Sequence, residues 1–256
     1  MKRTKSIAMW LVVLMMVCSL MGCSKEKELT PEEVYAAAYE KANSLSGMDA
    51  EMTMDIAMTA EGETMDLGMD VDLLMEKPNS VDMKMSMGMK MEMLGISMDI
   101  QTYYADGYYL MDMMGQKIKY QMPMEDAMDQ SAMMQEVAVE ALSEITMTEE
   151  DGLRILTFSV DPEKLMGDFM EGYMADMGLG NTSENLEYKS FQGVMKVNEE
   201  GYPVDITMEL AYTTKAEGIL MDCEATINVI YNDPGQPVTV EIPDMSEYIE
   251  VDPEDM

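Results

Sequence analysis

From Val81 to Met93 every odd position is apolar and every even one is polar or Gly: Val81-Asp82-Met83-Lys84-Met85-Ser86-Met87-Gly88-Met89-Lys90-Met91-Glu92-Met93. A period of two sends alternate side chains to opposite faces of an extended chain, so this stretch predicts a β-strand with one dry face. The alternation recurs on both sides. Met52, Met54, Ile56 and Met58 share a face, as do Met65, Leu67, Met69, Val71 and Leu73, and then Ile96, Met98 and Ile100. Short connections, Glu61-Gly62-Glu63 and Lys77-Pro78-Asn79-Ser80, suit antiparallel neighbours. Asp106-Gly107 between Tyr103-Tyr104 and Tyr108-Tyr109 is a hairpin signal. The result is a meander whose other face is rich in Asp, Lys, Thr and Ser.

Helical patterns interrupt it. Thr30-Pro31-Glu32-Glu33 has the form of a capping box with Pro at the first helical position, and predicts a helix to about Leu45 with Val34, Ala38, Ala42 and Leu45 on one side. Residues 124–142, with Met128, Met133, Met134 and Val137, show no alternation and predict a second helix. After a strand over 153–160, Asp161-Pro162-Glu163 predicts a third, whose Leu165, Met166, Phe169, Met170, Tyr173, Met174 and Met177 recur every three or four residues. The last third is extended again, over 186–197, 204–212, 219–231 and a short run at 238–242. Beyond Pro243 the acidic stretch 244–256 is expected to be a mobile tail.

The N-terminus carries a different message. Met1-Lys2-Arg3-Thr4-Lys5, an apolar run from Ile7 to Val17 and the ending Leu20-Met21-Gly22-Cys23 have the three parts of a secretory signal. The run is short for a membrane span and is followed at once by Ser24-Lys25-Glu26-Lys27-Glu28. Its ending resembles the bacterial lipobox, which implies acylation of Cys23 with a diacylglycerol and removal of residues 1–22. Residues 23–29 then form a lipidated linker, 30–243 the folded domain and 244–256 the tail. The expected location is the extracytoplasmic face of the cell membrane.

Charge and composition narrow the function. A formal net charge of -34 repels phosphate backbones, so nucleic acid is not an expected partner. There is no His, which removes the usual general base and the commonest metal ligand. No enzymatic activity, cofactor or metal is expected. Of the three Cys, Cys18 and Cys23 belong to the N-terminal segment, and Cys223 reads as a small buried hydrophobe. The carboxylates of Asp66, Asp70 and Asp72, or of Glu149-Glu150-Asp151, lack the spacing of a calcium loop and read as a solvated face.

Several short stretches resemble the LolA-like lipoprotein superfamily, in particular lipoproteins of the LppX/LprG type and their uncharacterised Gram-positive relatives. They are Leu29-Thr30-Pro31-Glu32-Glu33, Tyr104-Ala105-Asp106-Gly107-Tyr108-Tyr109, Val160-Asp161-Pro162, and Tyr231-Asn232-Asp233-Pro234-Gly235-Gln236-Pro237-Val238 ahead of Ile242-Pro243. The resemblance implies an α+β fold: a strongly curved antiparallel β-sheet, or half-barrel, with helices against its concave face. It also implies a cavity for acyl chains and no catalytic residues.

The methionines carry the functional question. Six of the seven apolar positions from Val81 to Met93 are Met, an unbranched and adaptable side chain where strands usually use branched or aromatic ones. Read as a ligand surface, the sheet offers Met54, Met69, Met83, Met85, Met87, Met89, Met91 and Met98, joined by Phe169 and Met170 of the third helix, to a lipid-like molecule. Read as packed core, the same residues make a non-enzymatic envelope interaction or sensory module; on either reading a monomer is expected. A soft-metal thioether site is the third reading. Same-face neighbours stand roughly 6.6 to 7 Å apart along a strand, however, and no His or nearby Cys assists.

Overall fold

A computed structural model describes residues 29–78, 80–131, 137, 139–161, 187–216 and 219–252. The N-terminal signal with Cys23, and the third helix with Phe169 and Met170, lie outside these residues. The chain divides into units 1–30 and 31–256. Of the first, Leu29 and Thr30 are described; both are exposed and lack regular structure.

The second unit is built on one sheet. Helix α1 (Pro31–Asn43) is followed by β1 (Gly47–Ala60), β2 (Glu63–Glu76), β3 (Lys84–Met93), β4 (Ile96–Ala105), β5 (Tyr108–Met113) and β6 (Gln116–Gln121). Helix α2 (Met124–Ser131) and a 3₁₀ turn (Val139–Ala141) lead into β7 (Leu142–Glu150) and β8 (Leu153–Val160). Then come β9 (Glu187–Val197), β10 (Pro203–Ala216), β11 (Ile219–Tyr231), a 3₁₀ turn (Met245–Glu247) and β12 (Ile249–Glu250). The order across the sheet is β12-β6-β5-β4-β3-β2-β1-β11-β10-β9-β8-β7. All neighbours are antiparallel except β12 with β6, and the end strands β12 and β7 are not paired with each other, so the curved sheet is open.

The antiparallel order sorts the turns to two edges. Glu61-Gly62, Leu94-Gly95, Met114-Gly115 and the start of β11 lie along one; Asp106-Gly107, Asp151-Gly152 and the β9–β10 turn lie along the other. In each of these five two-residue turns both residues have positive φ, the mirror-image hairpin turn whose twist matches that of the flanking strands.

Three apolar clusters occupy one face of the sheet. At one end, Val34, Tyr35, Ala38 and Tyr39 of α1 pack on Leu156, Phe158, Phe191, Met195 and Ile206. The Tyr35 hydroxyl donates to the Val137 carbonyl at 3.0 Å, and its ring meets Phe158 edge-on at 5.3 Å. Gly193 makes that possible: a Cβ there would stand 2.2 Å from Phe158 Cζ, so only a residue without one lets the ring lie on the strand. Toward the other end, Met75, Met83, Met85, Tyr104, Tyr109, Tyr120 and Met122 pack with Ala127 of α2. Between them lie Met52, Met54, Ile56, Val71, Met87, Ala225 and Val229. Each fully buried side chain of this size stabilises by about 1.5 to 3 kcal/mol.

Four expectations are corrected. Within the described residues the second helix covers Met124–Ser131, and Leu142, expected at its end, opens β7. A bulge between Leu142 and Glu144 shifts the register of β7, so its inward residues Leu142, Ile145 and Met147 do not alternate. Strand β6 is an addition to the expected strands. Residues 238–242 form no ladder; Val240 is buried and its N–H donates to the Glu76 carboxylate at 3.3 Å. Finally, the acidic stretch after Pro243 docks. Ile249 and Glu250 pair with Ile118 and Lys119, Tyr248 is buried, and the Val251 N–H donates to the Lys119 carbonyl at 3.0 Å. Lys117 meets Glu247 at 2.6 Å. Burial of Tyr248, packing of Val251 and the backbone pairing of Ile249 and Glu250 hold this segment over part of an otherwise open sheet edge.

Candidate functional site

The apolar residues of neighbouring strands stand in register. Met54 faces Met69, Met69 faces Met91, and Met91 faces Met98, so four methionines cross β1, β2, β3 and β4 in one row. The row spans three strand spacings, about 14 Å. One row nearer the Leu94 turn stand Ile56, Leu67, Met93 and Ile96; one row farther stand Met52, Val71, Met89, Ile100 and Met113.

Exposure is graded across this patch. Met83, Met85, Met87 and Met54 are buried, Met69, Met89 and Met91 are half-buried, and Met98 is 37% exposed. Along β3 itself the gradient runs from Met85 at 0% to Met93 at 40%. The eight described methionines therefore separate. Met83 and Met85 sit under Tyr104, Tyr109 and Tyr120 in the cluster that α2 closes. Met54, Met69, Met87 and Met89 belong to the middle cluster, which among the described residues contains only strand side chains. Met91 and Met98 continue its floor toward the edge of the Leu94 turn.

Polar groups border this floor at Tyr188, Tyr212 and Cys223. Tyr212 pairs with Cys223 on one side and Tyr188 on the other, with the two rings 6.3 Å apart. Among the described residues the buried Tyr188 hydroxyl has no hydrogen-bond partner, and burial pushes its ionisation well above the ordinary phenol range. Cys223 is buried and its thiol is also held protonated by desolvation, which suits a packing role. Nothing in the period-2 pattern marks Tyr188, because an unmatched hydroxyl is a property of its neighbours.

The opposite face of the same strands is polar. Asp70, Asp72, Lys90, Asp99, Gln101 and Asp112 line an open groove of about 780 Å³. Lys90 pairs with Glu92 at 2.8 Å, and the hydrogen bond to that carboxylate holds its ammonium pKa above the ordinary value. Glu149, Glu150 and Asp151 line a smaller hollow of about 280 Å³ with Arg154 and Glu199. Among the described residues no three acidic or Cys side chains converge as a metal site. Nor is any described helix long and apolar enough to cross a membrane.

Solved structures similar to the chain include LprF from Mycobacterium bovis, at 10% identity with a TM-score of 0.47, covering 83% of this chain and 96% of that one. The LolA superfamily protein NE2245 from Nitrosomonas europaea is 9% identical with a TM-score of 0.22, covering 84% and 96%. The ywiB protein from Bacillus subtilis is 11% identical with a TM-score of 0.21, covering 71% and 92%. Among curated proteins, none matches the sequence. A family model does match residues 30–246, most of the chain, and the protein belongs to that family, described as a family of unknown function, DUF6612.

Proposed function

We propose that the chain is a non-enzymatic lipoprotein, held at the outer face of the cell membrane by a diacylglycerol on Cys23, that binds or carries a lipid-like ligand on the methionine row. The observation that carries this is the graded floor from Met54 through Met69 and Met91 to Met98, on a cluster to which no described helix contributes. Unbranched thioether side chains adapt to a loosely shaped acyl chain, which gains roughly 0.8 kcal/mol for each CH₂ removed from water before ordering costs. The Tyr188 hydroxyl, without a hydrogen-bond partner among the described residues, supplies one hydrogen bond for an ester or headgroup oxygen. Phe169 and Met170 of the third predicted helix complete the proposed set. The protein acts as a monomer, without metal or cofactor.

A second reading is an envelope interaction module with a filled core. The closed packing of Met83 and Met85 under three tyrosines favours it for that end of the sheet. Native mass spectrometry of residues 24–256 made in a bacterial host separates the two. Retained mass matching an acyl lipid supports the carrier. A clean apo mass, with no uptake from added liposomes, refutes it and leaves the interaction module.

A further inference from the structure

The two edges of the sheet close their hairpins with different chemistry. On one, Asp106 and Asp151 occupy the first turn position, where a short polar side chain tolerates the left-handed backbone. On the other, that position holds Glu61 with φ 53° in one turn, but Leu94 with φ 51° and Met114 with φ 55° in the other two. Both are bulky apolar residues in a conformation that disfavours them, and they are 72% and 84% exposed. Ile96 beside the first tip, and Ile219 and Leu220 at the start of β11 on the same edge, are exposed as well. Leu94 and Met114 sit in strained backbone and bury little, so their side chains contribute little to the folded domain.

We propose that this edge docks on the surface of a zwitterionic lipid bilayer, with Leu94 and Met114 entering the interfacial region. Local charge supports that partner. Lys90 next to the Leu94 turn is engaged by Glu92, Lys117 beside the Met114 hairpin by Glu247, and the third turn on this edge exposes Glu61 and Glu63. The edge therefore offers no basic surface to anionic headgroups, and a zwitterionic bilayer is the lipid surface it fits. The direction of α1 agrees. Its last turn lies at the opposite edge, where Lys41 donates to the Glu200 carbonyl and stands over the Tyr202 ring at 4.4 Å, so the helix starts toward the edge with the apolar tips. A chain lipidated at Cys23 has seven residues before Pro31, a reach of about 25 Å. The docking contact deepens the proposed carrier reading, and rests on it for its purpose: the methionine floor opens toward the edge that would meet the membrane.

The test uses the full-length lipoprotein, processed in a bacterial host and reconstituted into phosphatidylcholine vesicles. The only Trp, Trp10, lies in the segment expected to be removed, so Leu94→Trp, Met114→Trp and Asp151→Trp each report one position, read against the unsubstituted parent. With brominated phosphatidylcholine, Leu94→Trp and Met114→Trp should be quenched at least twofold more than Asp151→Trp. Equal quenching at both edges, or none at Leu94 and Met114, overturns the docking edge. Two probes guard against one failing to fold. Quenching that disappears when vesicles are removed reports docking, whereas quenching that persists reports retained lipid, so this inference and the carrier reading fail separately.

Discussion

The two halves of β3 carry the same residue on the same face under opposite conditions. Met85 is covered by Tyr104, Tyr109 and the α2 cluster, and no part of it reaches solvent. Met91 and Met93, six and eight residues further on, lie between Met69 and Met98 and between Leu67 and Ile96, and their exposure rises toward the turn. Residue identity is constant along the strand, so the difference comes from what the neighbouring elements place above it. A methionine stripe is thus neither core nor groove by composition; packing partners distant in sequence decide it.

The comparison is broken or upheld most strongly by a buried charge. Met85→Asp places a carboxylate in an apolar cluster closed to solvent, and the protein should lose more than about 4 kcal/mol of stability or fail to fold. Met91→Asp keeps its carboxylate within reach of water and should cost no more than about 1 kcal/mol, while abolishing retention of acyl lipid. Urea unfolding followed by far-UV circular dichroism, with mass spectrometry of the folded variant, reads both effects. Equal destabilisation at the two positions would show that β3 is closed along its whole length. Retained lipid in a folded Met91→Asp protein would remove that residue from the ligand surface.

A smaller effect comes from pH. Burial raises the phenol pKa of Tyr109, partly offset by its hydrogen bond with Thr102, and burial likewise raises that of Tyr104, from a starting value of 10.0 in each case. A group whose folded pKa is raised leaves stability intact below its unfolded pKa; stability falls as pH climbs above about 10, where the unfolded chain gives up protons that the folded one retains. Thermal melts between pH 8 and 11 should therefore show a loss confined to the alkaline end. Absorbance at 295 nm should place the ionisation of these tyrosines at or after the unfolding step. Free titration of all tyrosines near pH 10 in a folded protein would mean that the closed half of β3 is open too.

The sheet was legible in the sequence over the long alternations of β1 to β4 and β10 to β11, whereas β6, only six residues long, was not, although Ile118 and Tyr120 alternate with Lys117 and Lys119. The sheet was illegible where one residue broke the period. The bulge in β7 is the clear case, since the inserted residue breaks the alternation between Leu142 and Ile145 and leaves Leu142 with the preceding helical pattern. Docking of residues 248–251 was not legible because acidic neighbours dominate the composition there, although Tyr248 and Val251 pack and the backbone of Ile249 and Glu250 pairs. The methionine face itself was visible, but its division was not: nothing local to Met85 or Met91 says that Tyr120 stands near one and Met98 beside the other. The tips Leu94-Gly95 and Met114-Gly115 carried a readable signal in their glycines, each following one bulky apolar residue after a strand pattern.

The finest test compares the two edges. Leu94 holds φ 51° with its side chain in water, whereas Asp106 holds φ 53° at the other edge with a residue suited to it. Leu94→Asn replaces a side chain that crowds the left-handed backbone with one that tolerates it, so stability should stay level or rise by up to about 1 kcal/mol. Membrane contact should move the other way, with bromine quenching of a Met114→Trp reporter falling when Leu94→Asn is added. Asp106→Asn, chemically close to the starting residue, should leave both readouts unchanged. A drop in stability for Leu94→Asn would mean that the leucine supports the hairpin, and the contrast between the edges would then be one of folding. A rise in stability with weakened contact would mark Leu94 as a residue kept against the preference of its own turn, which is the pattern expected where function and stability pull apart.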